Sequence, residues 1–122
     1  MSNGALQGKK IFIFEDDQHL ATMLTQFLEM QGGIVKYVLR PREGMLIIEA
    51  FSPDVIITDI NMPEIDGYSV FKEMQRKFPT VPIIAITGES KLKKLFEVEG
   101  IAAFLNKPFT MDELLATIKD VT

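Results

Sequence analysis

The 122 residues contain no cysteine, which excludes disulfides, thiolate metal sites and cysteine nucleophiles and suits a reducing compartment; a cytoplasmic location is expected. Histidine occurs once, as His19, too few for a multi-histidine zinc site. Long apolar runs are also missing. The longest, Ile101 to Leu105, has five residues, where a membrane-spanning helix needs about 18 or more, so no membrane partner is expected. Asn3, Gly4, Gln7 and Gly8 interrupt any apolar stretch between Met1 and Lys9. That stretch does not resemble a secretion signal, and residues 1–8 read as a flexible leader. There is no basic excess: 13 basic residues stand against 17 acidic ones, a net charge of -4. That sign opposes binding to a phosphate backbone, so no direct nucleic-acid contact is expected. The one basic cluster, Lys91, Lys93 and Lys94, reads as the solvated face of a helix. Neither a G-x-G-x-x-G run nor a Walker A run occurs, which removes support for dinucleotide and P-loop chemistry.

What is present is a single domain's worth of chain, 47% hydrophobic, with two patterns in alternation. Ile11 to Phe14 form a continuous apolar run of the kind buried on both faces of a sheet, and it ends in Glu15, Asp16 and Asp17. Leu20, Met23, Leu24, Phe27 and Leu28 then make one helical stripe, stopped by Gly32 and Gly33. Ile34 to Leu39 is a second strand. A weaker helix follows from about Arg42 to Phe51, its start obscured by Pro41 and Gly44. Val55 to Thr58 form a third buried strand ending at Asp59, before a loop through Asn61, Met62, Pro63, Asp66 and Gly67. From Tyr68 a helix carries Val70, Phe71, Met74 and Phe78 inward, and Pro79 closes it. Ile83 to Ile86 are a fourth strand ending at Thr87. Leu92, Leu95 and Phe96 mark a short helix ending near Gly100, and Ala102 to Leu105 are the fifth strand, before Lys107 and Pro108. Thr110 and Glu113 have the spacing of a capping box that opens a last helix through Leu114, Leu115 and Ile118. The methionines, among them Met23, Met30, Met62 and Met74, are expected to fill gaps in the core.

Strict strand-helix alternation implies an α/β, doubly wound (βα)5 fold: a parallel sheet between two helical layers, with ligands bound at the carboxyl ends of the strands. Those ends carry Glu15 and Asp16, Asp59, Thr87 and Lys107. In an order such as 2-1-3-4-5 the first and third strands are neighbours, and the three carboxylates converge. Such crowding needs a cation or a retained proton, and an all-oxygen set with room for water and phosphate suits Mg2+. With a hydroxyl and an ammonium nearby, the apparatus fits phosphoryl transfer onto Asp59, and a carboxylate nucleophile needs no general base. Lys107 and the metal would neutralise the transferred group while Thr87 donates a hydrogen bond to it.

Five motifs in order carry a family resemblance: IFIFEDD from Ile11 to Asp17, PDVIITDINMP from Pro53 to Pro63, Asp66-Gly67, IIAITG from Ile83 to Gly88, and FLNKPF from Phe104 to Phe109. Together they resemble the receiver domain of two-component response regulators, similar to the chemotaxis receiver, over residues 9 to 120, and residues 9–122 are taken as the domain. The resemblance implies the flavodoxin-like fold with strand order 2-1-3-4-5. It also implies that Asp59 is the phosphoacceptor, that Asp16 and Glu15 are acidic ligands of Mg2+, and that Asn61 lends the metal its backbone carbonyl. Thr87 and Lys107 match the phosphate-contacting hydroxyl and ammonium, Lys107-Pro108 matches a cis peptide bond, and Phe104 matches the aromatic that switches together with Thr87. The implied partners are a sensor histidine kinase or histidine phosphotransfer protein, an output domain or downstream protein, and a possible homodimer. The implied activity is that of a signalling module catalysing its own phosphorylation and dephosphorylation, not a turnover enzyme.

Some features depart from that pattern. The segment between Thr87 and Lys107 is about two residues short, Gly88 stands where a small alanine is usual, and Pro41 and Gly44 are atypical of the second helix. Three alternatives fit less well. A dehalogenase-like phosphohydrolase would need a D-x-D pair after the first strand, which Glu15-Asp16-Asp17 does not supply. A degenerate receiver kept only for binding would not need the complete set. A histidine phosphotransfer domain built on His19 would be a helical bundle.

Overall fold

The computed structural model describes residues 4–60, 67–88 and 100–122. Within them the chain forms β1 (Lys10–Phe14), α1 (Gln18–Met30), β2 (Ile34–Val38), α2 (Pro41–Phe51), β3 (Val55–Asp59), α3 (Gly67–Lys77), β4 (Ile83–Thr87), β5 (Ala103–Asn106) and a last helix, α4 (Met111–Val121). The five strands pair in parallel in the order β2-β1-β3-β4-β5, the order implied by the resemblance. The expected helix around Leu92, Leu95 and Phe96, the cluster Lys91, Lys93 and Lys94, and the loop residues Asn61, Met62, Pro63 and Asp66 lie outside the described residues.

Strand alternation sorts the apolar side chains into two layers. Phe12, Phe14, Ile56, Ile83 and Ala85 face Ile48 of α2 and Val70, Phe71 and Met74 of α3. Ile11, Ile13, Val55, Ile57, Ile84, Ile86 and Leu105 face Leu24 and Leu28 of α1 and Leu114 and Ile118 of α4. The central strands β3 and β4 are buried along their whole length, so they read as unbroken apolar runs, whereas edge strand β2 is half-exposed. Each large aliphatic or aromatic side chain so enclosed contributes about 1.5–3 kcal/mol of hydrophobic stabilisation.

The helix boundaries follow local chemistry. α1 ends in a Schellman turn: Gly32 takes φ 93°, its N–H donates to the Glu29 carbonyl at 2.9 Å, and Gly33 donates to Leu28 at 3.0 Å. Pro41 does not obscure α2 but starts it, at the first helical position, where its missing N–H costs nothing. Gly44 is demanded by packing. A Cβ there would lie 2.8 Å from Cζ of Phe14 and 2.9 Å from Cγ2 of Val38, so only glycine lets α2 sit this close to β1 and β2. The Thr110–Glu113 capping box forms as expected, with both reciprocal bonds present.

Two expectations are corrected. Residues 4–8 are not a loose leader: Leu6 is fully buried among the residues under α1 and α4. The Leu6 N–H donates to Gln31 at 2.9 Å and the Gly8 N–H to Gly32 at 3.0 Å, occupying carbonyls at the helix end that would otherwise lack partners. Nor are the methionines uniformly core residues. Met74 is buried, but Met23 and Met30 are 42% and 79% exposed: the buried face of α1 centres on Ala21, Leu24 and Leu28, which leaves Met23 at the edge of the expected stripe and Met30 off it.

Two substitutions test these points by denaturant unfolding. Leu6→Ala is expected to cost about 2–5 kcal/mol, the range for emptying a buried leucine site, where a true leader would give no change. Gly44→Ala is expected to cost about 1–3 kcal/mol through overpacking, despite alanine's better helix propensity.

Candidate acidic site at the strand ends

Register decides what meets at the carboxyl rim. Phe14 lies opposite Thr58 in the β1–β3 pair, so the next residues, Glu15 and Asp59, are neighbours. The Glu15 N–H also donates to the Val38 carbonyl at 3.1 Å, which ties the start of the acidic turn to β2. On the other side Thr87 lies opposite Asn106, and the Lys107 N–H donates to the Thr87 carbonyl at 2.8 Å. This bond sets Lys107 over the rim, and the Lys107-Pro108 bond is cis.

From that position the Lys107 ammonium reaches back across β4. Its Nζ donates to Oδ2 of Asp59 at 2.8 Å and lies 3.3 Å from Oε1 of Glu15. Asp59 and Glu15 are buried, at 3% and 0% exposure, so this ion pair is shielded from solvent on its acidic side and far less screened than a surface pair. Asp16 is exposed. Glu15, Asp16 and Asp59 each present an oxygen, and these oxygens lie within 4.8 Å of one another. The sequence placed these three carboxylates together, and the fold does so.

The electrostatics are unequal. Burial pushes the Glu15 carboxyl up from 4.5 to about 7; the Asp17 N–H, donating to its Oε2 at 3.0 Å, and the Lys107 charge pull it back, while the Asp59 charge and hydrogen bond push it further up. Burial alone would lower the Lys107 ammonium, but the hydrogen bond to Asp59 and the charges of Asp59 and Glu15 outweigh it and raise it. Oε1 of Glu15 is buried, and the Lys107 ammonium at 3.3 Å, shared with Asp59, faces it as an ion pair rather than a well-formed hydrogen bond. A buried oxygen that shares its one ammonium with a second carboxylate, in an all-oxygen acidic group, fits a hard divalent cation that keeps part of its water shell, as Mg2+ does.

Thr87 is buried at the end of β4. Phe104 lies opposite Ala85 and is partly buried against the α2–α3 layer. Ala85 and Thr87 share a strand face, so Thr87 and Phe104 stand on the same side of the sheet, while Glu15 and Asp59 continue the α1–α4 side. Asn61, expected to offer its carbonyl, is outside the described residues. The sequence did not reveal that Lys107 bridges two carboxylates, or that the Asp17 N–H holds Glu15; both depend on approaches that a linear motif does not record.

A doubly wound domain with carboxylates, a threonine and a lysine gathered on one rim defines a class, and the family follows from comparison. The response regulator receiver domain family matches residues 11–119, and the chain belongs to it. The chain is 34% identical over 117 residues to the transcriptional regulatory protein CrdR of Helicobacter pylori, covering 91% of this chain and 54% of that protein. It is 28% identical to the DNA-binding transcriptional regulator NtrC of Proteus hauseri, covering 93% of this chain and 24% of the relative. The chain thus spans between about a quarter and about half of these relatives. Among solved structures, a putative response regulator from Chloroflexus aurantiacus superposes with TM-score 0.87 at 29% identity, covering 94% and 98% of the two chains. The chemotaxis response regulator CheY4 of Vibrio cholerae gives 0.85 at 28% identity, covering 95% and 100%. Among the described residues no helix is long and apolar enough to cross a membrane.

The raised Glu15 value has a stability consequence. A carboxyl that is more basic when folded than when unfolded stabilises fully below its unfolded value of 4.5 and loses that contribution as pH rises through about 7. In chelator, the free energy of unfolding is therefore expected to fall between pH 5 and 8 by on the order of 2 kcal/mol. Glu15→Gln should flatten that slope; an unchanged slope in the variant would refute the assignment.

Proposed function

We propose that this domain is a phosphoacceptor switch: Asp59 accepts a phosphoryl group from a phosphohistidine of a sensor kinase or phosphotransfer protein, in the cytoplasm. The observation that carries this reading is the cluster of Glu15, Asp16 and Asp59 within 4.8 Å, with the Lys107 ammonium 2.8 Å from Asp59. A carboxylate oxygen of Asp59 attacks phosphorus, the new O–P bond forms as the donor's N–P bond breaks, and the departing imidazole nitrogen takes a proton from solvent. Glu15, Asp16, Asp59 and the Asn61 carbonyl would hold Mg2+. When bound, the ion neutralises charge on the phosphoryl oxygens and on the crowded carboxylates.

The chain's own groups do the rest. Lys107 starts out bound to Asp59 and transfers its donor capacity to the phosphoryl group as that group arrives, so its charge is already aligned before reaction. The Thr87 hydroxyl donates to another phosphoryl oxygen. Its movement toward the phosphoryl group frees space on the sheet face it shares with Phe104, so the ring turns inward and the surface around β5 and α4 changes. That change alters binding to an output domain or downstream protein, or between two copies of the domain. The product is a state, not a released molecule: phosphorylation and later hydrolysis of the acyl phosphate are self-catalysed, with no sustained turnover of other phosphoesters.

Intact mass after incubation with acetyl phosphate and Mg2+ tests the chemistry. The wild type should gain one phosphoryl group; Asp59→Asn, or wild type with excess chelator, should gain none. No gain by a wild type that demonstrably binds Mg2+ would sink self-catalysed transfer from small donors. The switch is tested separately by hydrogen exchange: Thr87→Ala should still be phosphorylated but lose the phosphorylation-dependent change in β5 and α4.

A further inference from the structure

We infer that Asp17 is a positioning residue for the acidic site: its side chain caps α1, which fixes its own backbone N–H, and that N–H holds the Glu15 carboxylate in place. This rests on the phosphoacceptor reading above.

Three bonds define the link. The Asp17 N–H donates to Oε2 of Glu15 at 3.0 Å. Oδ1 of Asp17 accepts from the Leu20 N–H at 3.1 Å, and the Asp17 carbonyl accepts from the Ala21 N–H at 2.9 Å. Asp17 is extended, with φ -83° and ψ 105°, the geometry of a residue at the start of a helix. One side of Asp17 is therefore anchored twice in α1, and the other side grips Glu15. The grip matters because Glu15 is fully buried and its second oxygen faces an ammonium, 3.3 Å away, that is held more closely by Asp59. If the cap is lost, the first turn frays, the Asp17 N–H is no longer held, and the Glu15 carboxylate is free to rotate out of register with Asp16 and Asp59.

Asp17 has a second conceivable role, as extra negative charge for the cation. The geometry favours the cap. The oxygens that approach one another belong to Glu15, Asp16 and Asp59, while the Asp17 carboxylate is committed to the Leu20 N–H and the side chain is exposed. Capping depends on an acceptor oxygen, not on charge, so asparagine and serine serve in its place.

The test compares Asp17→Ala, Asp17→Asn and Asp17→Ser with the wild type by calorimetric titration with Mg2+, well below the unfolding temperature. Loss of a group that orients a metal ligand typically weakens binding about 10–100-fold, and the alanine variant is expected near the lower end of that range. It should also show faster hydrogen exchange at the residue 17 amide. Asparagine and serine should restore most of the affinity. Thr110→Ala, which removes the equivalent cap from α4, controls for lost stability and should leave Mg2+ binding unchanged. The inference is overturned if alanine binds Mg2+ as the wild type does, if asparagine falls as far as alanine, or if the Thr110 control weakens binding equally. A wild type that binds no Mg2+ overturns the functional reading and this one with it; normal binding by both wild type and Asp17→Ala overturns the positioning role alone.

Discussion

The ammonium of Lys107, shared between Asp59 at 2.8 Å and Glu15 at 3.3 Å, is the interaction on which the functional rim depends. Two acidic side chains at the ends of adjacent strands are both almost fully buried, and each loses hydration that an apolar surrounding cannot replace. One cation cannot fully offset two carboxylates. Burial, with the Asp59 charge adding to it, accordingly raises the Glu15 carboxyl. The rim is thus built short of positive charge, the deficit that the divalent cation of the proposed function would fill.

That arrangement costs stability, and the hydrophobic layers offset it. The β3 and β4 strands are enclosed on both faces, and their parallel pairing with β1 and β5 leaves the rim residues little freedom to move apart. Held there, the Glu15 carboxyl responds to its burial, and less strongly to the Asp59 charge, by becoming more basic. The same register divides the rim into two sides. Glu15 and Asp59 lie on the α1–α4 side, whereas Thr87 and Phe104 share the other. Thr87 ends the strand between those that carry Asp59 and lead to Lys107.

Much of this was legible in the linear pattern. Runs of four residues, apolar except for Thr58, leading into Glu15, Asp59 and Thr87 marked buried parallel strands and their reactive ends, because a strand enclosed on both faces has no polar alternation to obscure its limits. The Thr110–Glu113 spacing located the last helix because a capping box is a local exchange of hydrogen bonds. Other features were illegible for the opposite reason. Gly44 looked like a defect in a weak helix until Phe14 and Val38 were found against it. Leu6 sat among glycines and polar residues, and only the end of α1 gives it a pocket. Met30 was assigned to the core by residue type and Met23 by its place in the apolar stripe as well, yet both are exposed, because the buried face is narrower than the apolar pattern.

By itself, then, the sequence determined the alternation of strands and helices, the family, and the identity of the chemical groups at the strand ends, since these depend on periodicity and short spacings. Tertiary structure alone decided the partnerships: Lys107 with two carboxylates, the Asp17 amide with Glu15, the N-terminal turn with α1, and the split of Thr87 and Glu15 between two faces. Those depend on strand register and helix approach across tens of residues, and burial then gives each contact a strength that no residue carries in its name.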